Sequence, residues 1–246
     1  MATLHYDRLV PTIFESTTSQ AGYPATNLGN ESLARPWKGV GVGVEDLTLR
    51  LPAAATIQTV FLDDVNFDSC TVKRSANGVD FVDVGVATAY PNEHGRYRGK
   101  ITVGVAGLVA IRLAIAAGAA NDGLADWRGG AVYLFGSSAP IPVGPSYNYR
   151  TRTKRPRISA ELANGLVAQA RTGLNIDRID FPYERKFDKS LRLLKMKAEQ
   201  GTVLLSMDIP DWPDQMWPVR YLDDASEEAF PKVHKAQGSL VLTEVV

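Results

Sequence analysis

The stretch Thr71-Val72-Lys73-Arg74-Ser75-Ala76-Asn77-Gly78-Val79-Asp80-Phe81-Val82-Asp83-Val84 points most directly to the fold class. Apolar and polar residues alternate on both sides of Asn77-Gly78, as they do in strands with one buried face. Asn-Gly favours the positive φ angles of a tight primed turn. The stretch therefore predicts a β-hairpin.

Other short β-rich runs continue on both sides of this hairpin, separated by glycine, asparagine and proline. We assign the alanine-rich residues 111–120 to a strand rather than a helix, because Ile111, Leu113 and Ile115 alternate with other residues. A helix is predicted only at about 189–200, where Phe187, Leu191, Leu194 and Ala198 recur at helical spacing and form one apolar stripe. The remaining strands are predicted at 47–51, 59–62, 71–73, 81–84, 100–105, 108–115, 131–135, 165–172, 178–183, 202–207, 217–222 and 239–245.

A segment rich in proline and glycine, residues 136–145, separates two regions of this pattern. Proline removes a backbone donor and resists both helix and central strand. We therefore predict two β-sandwich-type domains, residues 1–145 and residues 146–246, the second with the one packed helix. The fold class expected is mainly β.

The composition excludes several classes of protein. Of 246 residues, 45% are hydrophobic and 22% charged, and 27 basic residues balance 27 acidic ones. A balanced charge argues against a nucleic-acid coat or a polybasic membrane anchor. No apolar run approaches the ~18 residues of a membrane span, and the N-terminus lacks the apolar core of a signal peptide. With Cys70 as its one cysteine, the chain forms no internal disulfide, and we expect synthesis in a reducing cytoplasm.

The search for catalytic or cofactor chemistry finds no strong motif, so no enzyme, cofactor or metal is predicted. Residues 39–44 alternate glycine and valine, but they lack the spacing of a dinucleotide loop and are interpreted as a flexible turn. Asp64-x-Asn66-x-Asp68 begins like a calcium loop but lacks its glycine and its glutamate, so these side chains are interpreted as caps at a strand end. Cys70 is interpreted as a small core or strand residue.

Two features suggest contact with other subunits. The basic arm of residues 150–157 suits an acidic neighbour, while nucleic acid is disfavoured because no aromatic stacking platform accompanies the charges. Tryptophans beside prolines in residues 211–218 are typical of a core lid or an interface anchor. The candidate subunit-interface residues are Arg150, Arg152, Lys154, Arg155, Arg157, Trp212 and Trp217.

The N-terminal region resembles the discoidin-like, galactose-binding-like β-sandwiches, which have a jelly-roll fold. The resemblance rests on residues 23–30, which read Tyr-Pro-Ala-Thr-Asn-Leu-Gly-Asn, on Ala34-Arg35-Pro36-Trp37-Lys38, and on residues 57–66 and 72–81. It implies structural roles for Trp37, which would plug the sandwich, and for Asn27, whose side chain would tie a loop. The Asp-Gly-Asp of sugar-binding relatives is replaced here by Gly29-Asn30-Glu31-Ser32.

The C-terminal region resembles phage tail-tip proteins with a tail-tube-like domain. The resemblance rests on Trp217-Pro218-Val219-Arg220-Tyr221 and on residues 238–244. It implies a structural component of a phage tail tip or baseplate (a distal or minor tail protein in the virion), made in the bacterial host cytoplasm. Its partners would be copies of itself in a ring, expected to be a hexamer, together with the tail tube, hub and tip proteins.

The alternative function is a carbohydrate-binding module that recognises host-surface glycan without catalysis. Its candidate contacts are Trp37, Tyr97 and Trp127, whose rings would have to face solvent. An enzyme is disfavoured because the acid pairs Asp63-Asp64 and Asp223-Asp224 are adjacent in sequence. Neighbours on a strand point to opposite faces, so such pairs rarely share a site.

Overall fold

A computed structural model describes most of the chain. It covers residues 2–30, 35–91, 97–117, 119, 124–141, 153–154, 157–161, 167–171, 175–176, 179–184, 188–207, 215–221, 229–232 and 235–244. For residues 153–192 and from 229 onwards it describes the backbone alone, Leu242 excepted. The chain divides into two compact units. Unit 1 contains Met1–Ile141, Gly201–Pro218 and Val246, and unit 2 contains Pro142–Gln200 and Val219–Val245.

The elements are mostly strands, in agreement with the predicted fold class. The first strands are β1 (Thr3–Leu9), β2 (Ile13–Ser16), β3 (Trp37–Lys38), β4 (Glu45–Val65), β5 (Ser69–Ser75), β6 (Val82–Pro91), β7 (Tyr97–Ile115), β8 (Arg128–Gly129) and β9 (Ala131–Pro140), with a 3₁₀ helix at Ala25–Gly29. The later elements are β10 (Thr153–Lys154), β11 (Arg157–Glu161), β12 (Val167–Arg171), β13 (Asn175–Ile176), β14 (Ile179–Glu184), α1 (Asp188–Glu199), β15 (Val203–Ser206), β16 (Met216–Tyr221), β17 (Ala229–Lys232) and β18 (Lys235–Glu244).

Unit 1 is an antiparallel β-structure in which neighbouring strands follow the order β15-β1-β9-β4-β7-β5-β6. The two longest strands, β4 and β7, each combine two predicted strands and pair from Glu45↔Ile115 to Val65↔Tyr97 with irregularities in register. β6 pairs with β5 and, near its end, with β7. β2 pairs with β4, and β3 pairs with β8.

The main core of unit 1 lies between the inward faces of these strands. Alternate residues of β4, such as Val60 and Leu62, are fully buried and share this core with Leu134 of β9. Trp37 and Trp127 are its largest members. Burial of these apolar side chains is the main force that holds the strands together.

The predicted hairpin is present, but its turn is longer than expected. The pairing of β5 with β6 ends at Arg74↔Val82, so Asn77-Gly78 lies within a wider loop. Gly78 has φ +79°, whereas Asn77 does not have a positive φ. Instead, the Asn77 Oδ1 atom accepts hydrogen bonds from the backbone amides of Val79 and Asp80, both at 2.9 Å. A side-chain-capped loop thus replaces the predicted primed turn.

Unit 2 contains strand pairs and the helix α1. β14, β17 and the end of β16 each pair with β18, β10 pairs with β13, and β11 pairs with β12, all antiparallel. On α1, Leu194 and Ala198 are buried, whereas Leu193 and Met196 are exposed. The predicted helix and its buried stripe at Leu194 and Ala198 are confirmed, while a tail-tube-like fold for this region stays a prediction.

The chain does not divide at a single boundary near residue 145. After leaving unit 1 at Ile141, it returns with Gly201–Pro218. The reason is that β15 pairs with β1, in the register Thr3↔Ser206 and His5↔Leu204. The stretch 146–246 is therefore not one uninterrupted compact unit.

Candidate interaction surface

Two buried tryptophans support one region of the surface of unit 1. Trp37 in β3 pairs with Gly129 in β8. A Cβ atom on Gly129 would lie 2.8 Å from a methyl carbon of Leu28 and 3.4 Å from the Trp37 ring, so this approach requires glycine. Trp127 packs edge-to-face on Phe67, with 6.1 Å between ring centroids. Both indole rings are fully buried.

The Asn-Leu turn has the structural role that the resemblance implied. Asn27 lies in the 3₁₀ helix, and its buried Nδ2 atom donates to the carbonyl oxygen of Pro36 at 3.2 Å. This hydrogen bond fixes the chain directly before Trp37. The implied roles of Trp37 as a plug and Asn27 as a loop tie are confirmed.

Residues 39–44, which we call the valine loop, are braced against Trp127. The Gly39 amide donates to the Trp127 carbonyl oxygen at 3.0 Å, and the Trp127 amide donates to the Gly41 carbonyl oxygen at 3.1 Å. The indole Nε1 of Trp127 donates to the Gly43 carbonyl oxygen at 2.7 Å. The interpretation of residues 39–44 as a flexible turn did not include these hydrogen bonds, which brace the loop against Trp127.

A second support for the valine loop comes from Thr18. Its hydroxyl accepts a hydrogen bond from the Val40 amide at 2.9 Å and donates to Glu45 at 2.6 Å. The Thr18 amide also donates to Glu45 at 2.9 Å. Because the Glu45 carboxylate is buried, this network anchors the start of the loop to the beginning of β4.

Asp126 closes the bracing on the solvent side. Its Oδ1 atom accepts a hydrogen bond from the Gly41 amide at 2.8 Å. This bond, together with one from the Gln20 side chain and the charge of Lys38, holds the pKa of Asp126 below its ordinary value. The carboxylate is therefore ionised at neutral pH and stabilises the loop.

The bracing presents apolar side chains to solvent. Val40 is 61% exposed and Val44 is 71% exposed, and Val42 and Leu124 are exposed as well. Glycines separate the valines, and a Cβ at Gly41 or Gly43 would meet nothing within 4 Å. A rigid set of exposed apolar side chains with little charge among them is typical of an interaction site rather than of a solvated loop.

The acidic residues of β4 are engaged in structural interactions. Asp63 is buried and accepts from Arg98 at 2.6 Å, whereas Asp64 accepts from Arg128 at 3.3 Å. The two neighbouring carboxylates therefore have different partners, as the alternation of a strand requires. Asn66 accepts from the Arg128 amide at 2.7 Å and donates to the Asp126 carbonyl oxygen at 2.9 Å.

These contacts agree with the interpretation of Asp64 and Asn66 as strand-end caps. Among the residues that the structure describes, no group of three or more histidine, cysteine, aspartate or glutamate side chains could hold a metal ion. Cys70 is a buried strand residue, as interpreted, and its burial raises the pKa of the thiol to about 12. In the same described part of the chain, no helix has the length and apolarity of a membrane span.

The structure corrects part of the predicted glycan site. Trp37 and Trp127 are core residues with fully buried rings, so neither offers a face on which a sugar can stack. Tyr97, at the start of β7, is half-buried.

Most of the predicted subunit-interface residues have no described side chain. Trp217 is buried within unit 1. Lys154 and Arg157 lie in β10 and β11, where the backbone alone is described. Arg150, Arg152, Arg155 and Trp212 lie outside the described residues. For the six residues other than Trp217, a role at a subunit interface stays a prediction.

Several solved structures are similar to about half of this chain. A CBM32 module from a family 31 glycoside hydrolase of Clostridium perfringens shares 12% identity over 53% of this chain and 95% of its own, with a TM-score of 0.43. A chitosan-binding module from a chitosanase/glucanase of Paenibacillus sp. IK-5 shares 16% identity over 54% of this chain and 99% of its own, with a TM-score of 0.42. A putative chitobiase fragment from Bacteroides thetaiotaomicron shares 12% identity over 55% of this chain and 95% of its own, with a TM-score of 0.45.

These likenesses concern the β-sandwich fold alone, because identities this low say nothing about a shared ligand. No family model matches the chain, and no curated protein matches it. The discoidin-like resemblance of the N-terminal region therefore still rests on the residues that carry it. The function has to be argued from the residues of the chain itself.

Proposed function

We propose that this protein is a non-catalytic structural component that assembles with copies of itself through the valine loop. The observation that carries the proposal is the rigid presentation of Val40, Val42 and Val44 to solvent. The hydrogen bonds to Trp127, Thr18 and Asp126 fix the loop before any partner arrives. Pre-organisation of this kind reduces the conformational entropy lost on binding.

A protein surface suits this loop better than a sugar or a membrane does. Sugar recognition relies on exposed aromatic faces and polar groups, and here the two tryptophans are buried. Membrane surfaces attract segments rich in lysine and arginine, whereas residues 39–44 carry no charge and Asp126 beside them is an anion. The uncharged valines of the loop can pack on a different apolar surface of a neighbouring copy, which is the head-to-tail contact that a ring requires.

The finer form of this proposal is a ring at the tip or baseplate of a bacteriophage tail. Its support is the resemblance of residues 217–221 and 238–244 to tail-tip proteins, together with a balanced net charge. In such a ring the chain would join the tail tube to the hub and tip proteins. The basic arm remains a further candidate for the contacts, whereas Trp217 is part of the interior of unit 1.

Mass photometry of the purified full chain tests self-assembly. The wild type is expected to form closed oligomers that dissociate on dilution. The double variant Val40→Ser/Val44→Ser should raise the dissociation constant about a hundredfold, because each buried valine contributes about 1.5 kcal/mol and 1.4 kcal/mol corresponds to a factor of ten.

Two equally exposed valines outside the loop provide the matched control. Val79 is 78% exposed and Val86 is 61% exposed. Val79→Ser/Val86→Ser should assemble like the wild type. A wild type that stays monomeric at all concentrations, alone and mixed with tail tube protein, would overturn the proposal. So would equal loss of assembly in both double variants.

Glycan binding is the second candidate, and Tyr97 is the observation that favours it. This residue is half-buried and packs against the main core, so it is more accessible than the two fully buried tryptophans. On a glycan array, the wild type should bind a host-surface glycan and Tyr97→Ala should lose the signal. A blank array for the wild type would exclude this function under the conditions of the assay.

A further inference from the structure

Unit 1 contains a second apolar cluster in addition to its main core. The cluster comprises Phe61 of β4, Ala131, Tyr133 and Phe135 of β9, and Leu204 and Met216. Its members in β4 and β9 alternate with Val60, Leu62, Val132 and Leu134 of the main core. These two strands are therefore buried on both faces, which requires a cover on each side.

Part of that cover comes from a remote part of the sequence. Leu204 and Met216 belong to the described residues 201–207 and 215–218, which unit 1 includes and which we call the clasp. β15 in the clasp extends the sheet by pairing with β1, in the register Thr3↔Ser206 and Leu4↔Leu205. The chain passes through Pro142–Gln200 of unit 2 before it reaches the clasp.

Polar contacts fix the position of the clasp at both ends. The Nζ atom of Lys100 donates to the Ser206 hydroxyl at 2.6 Å, and Ser206 itself is buried. An Arg98 guanidinium nitrogen donates to the Met216 carbonyl oxygen at 3.5 Å. The Met207 amide donates to the Gln215 carbonyl oxygen at 2.9 Å, which brings the two arms of the clasp together.

We infer that the clasp is a conformational strap that completes unit 1, so that Met1–Ile141 does not reach its native state until the clasp has docked. Without the clasp, one edge of β1 lacks its partner and the rings of Phe61, Tyr133 and Phe135 lose part of their cover. Open strand edges and exposed aromatic clusters favour aggregation. During synthesis, the residues between Ile141 and Pro218 take about 4–15 s at ~5–20 residues per second, and the edge is open for that time.

Hydrogen exchange of the full chain tests the inference with Leu204→Asp. A charge at this fully buried position should displace the clasp. Exchange is expected to rise at least tenfold in β15 and also in β1 and β9, because the cover of both strands is lost. Leu193→Asp on α1 is the matched control, since Leu193 is exposed, and it should leave these three strands unchanged.

Ser206→Ala provides a milder variant in case Leu204→Asp does not fold. Removal of this hydroxyl takes away the hydrogen bond between Ser206 and Lys100 and should raise exchange several-fold in β15 and β1 together. A rise confined to β15, with β1 and β9 protected as in the wild type, would overturn the inference. So would unchanged exchange in both clasp variants.

Discussion

The buried ion pair between Asp63 and Arg98 should be a main determinant of the stability of unit 1. The Asp63 side chain is 1% exposed and that of Arg98 is 13% exposed, with 2.6 Å between Oδ1 and Nε. Asp63→Ala leaves the guanidinium buried without its carboxylate. We expect the free energy of unfolding to fall by about 3–5 kcal/mol, the usual cost of breaking a buried pair from one side.

An exposed ion pair in the same unit supplies the control for this prediction. Glu15 and Arg50 lie 3.1 Å apart at the surface, with side chains 51% and 31% exposed. Solvent screens this pair, so Glu15→Ala should cost about 0–1 kcal/mol. The comparison separates the effect of burial from that of the ion pair as such.

Urea denaturation followed by tryptophan fluorescence measures both variants, since Trp37 and Trp127 report on the core of unit 1. The double variant Asp63→Ala/Arg98→Met should lose less stability than the sum of its single variants, with a coupling energy of about 1–3 kcal/mol. An Asp63→Ala variant no less stable than Glu15→Ala would refute the reasoning. Additive single variants would refute it as well.

Three further predictions concern the packing and titration of unit 1. Gly99→Ala should lower the free energy of unfolding of unit 1 by about 1–3 kcal/mol in the same assay, because the added Cβ would lie 2.5 Å from the Thr88 carbonyl oxygen. Gly43→Ala is the control, since its added Cβ would meet nothing within 4 Å, and its free energy of unfolding should stay within about 0.5 kcal/mol of the wild type. The Cys70 thiol should resist a thiol-specific reagent at pH 8 and react fully in urea, since burial raises its pKa to about 12; rapid labelling of the folded protein would contradict this. Hydrogen exchange of the Gly41 amide, corrected for its intrinsic pH dependence, should stay slow above pH 3.8, the ordinary pKa of Asp126. It should accelerate as the pH falls through the lowered pKa of Asp126, because protonation weakens the hydrogen bond from the Gly41 amide. Asp126→Asn should remove this pH dependence.

Local patterns were sufficient to predict several of the strands and the helix. Alternation at 108–115 indicated a strand, and the structure has β7 there despite its alanines. The helical spacing of Leu194 and Ala198 indicated α1 and its buried side. Both cases depend on neighbours close in sequence, where the period of the apolar residues directly reflects the backbone conformation.

Features that depend on remote partners were not predicted. β1 reads as a polar N-terminus, yet it forms a strand because β9 and β15 flank it. The strand at 202–207 was expected, but its place in unit 1 was not. Nothing in the sequence of those residues indicates that they pair with β1. Hydrophobic alternation predicts that one face of a strand is buried. It does not show whether other elements also pack on the opposite face.

The candidate site was predicted only in its supporting residues. The resemblance indicated structural roles for Asn27 and Trp37, and the glycan interpretation of Trp37 and Trp127 failed because both rings are enclosed by the core. The residues of the valine loop were interpreted as a flexible turn because they lack the spacing of a dinucleotide loop. Its hydrogen bonds to Trp127 and Asp126 join residues far apart in sequence, so only the folded chain reveals them.

The most direct test of the account is a cryo-electron microscopy structure of the assembled particle formed by the full chain. The account predicts that Val40, Val42 and Val44 lie at the contact between neighbouring copies, with the loop in the conformation that Trp127 imposes. An assembly in which these three side chains remain in solvent, while other surfaces form every contact, would contradict it.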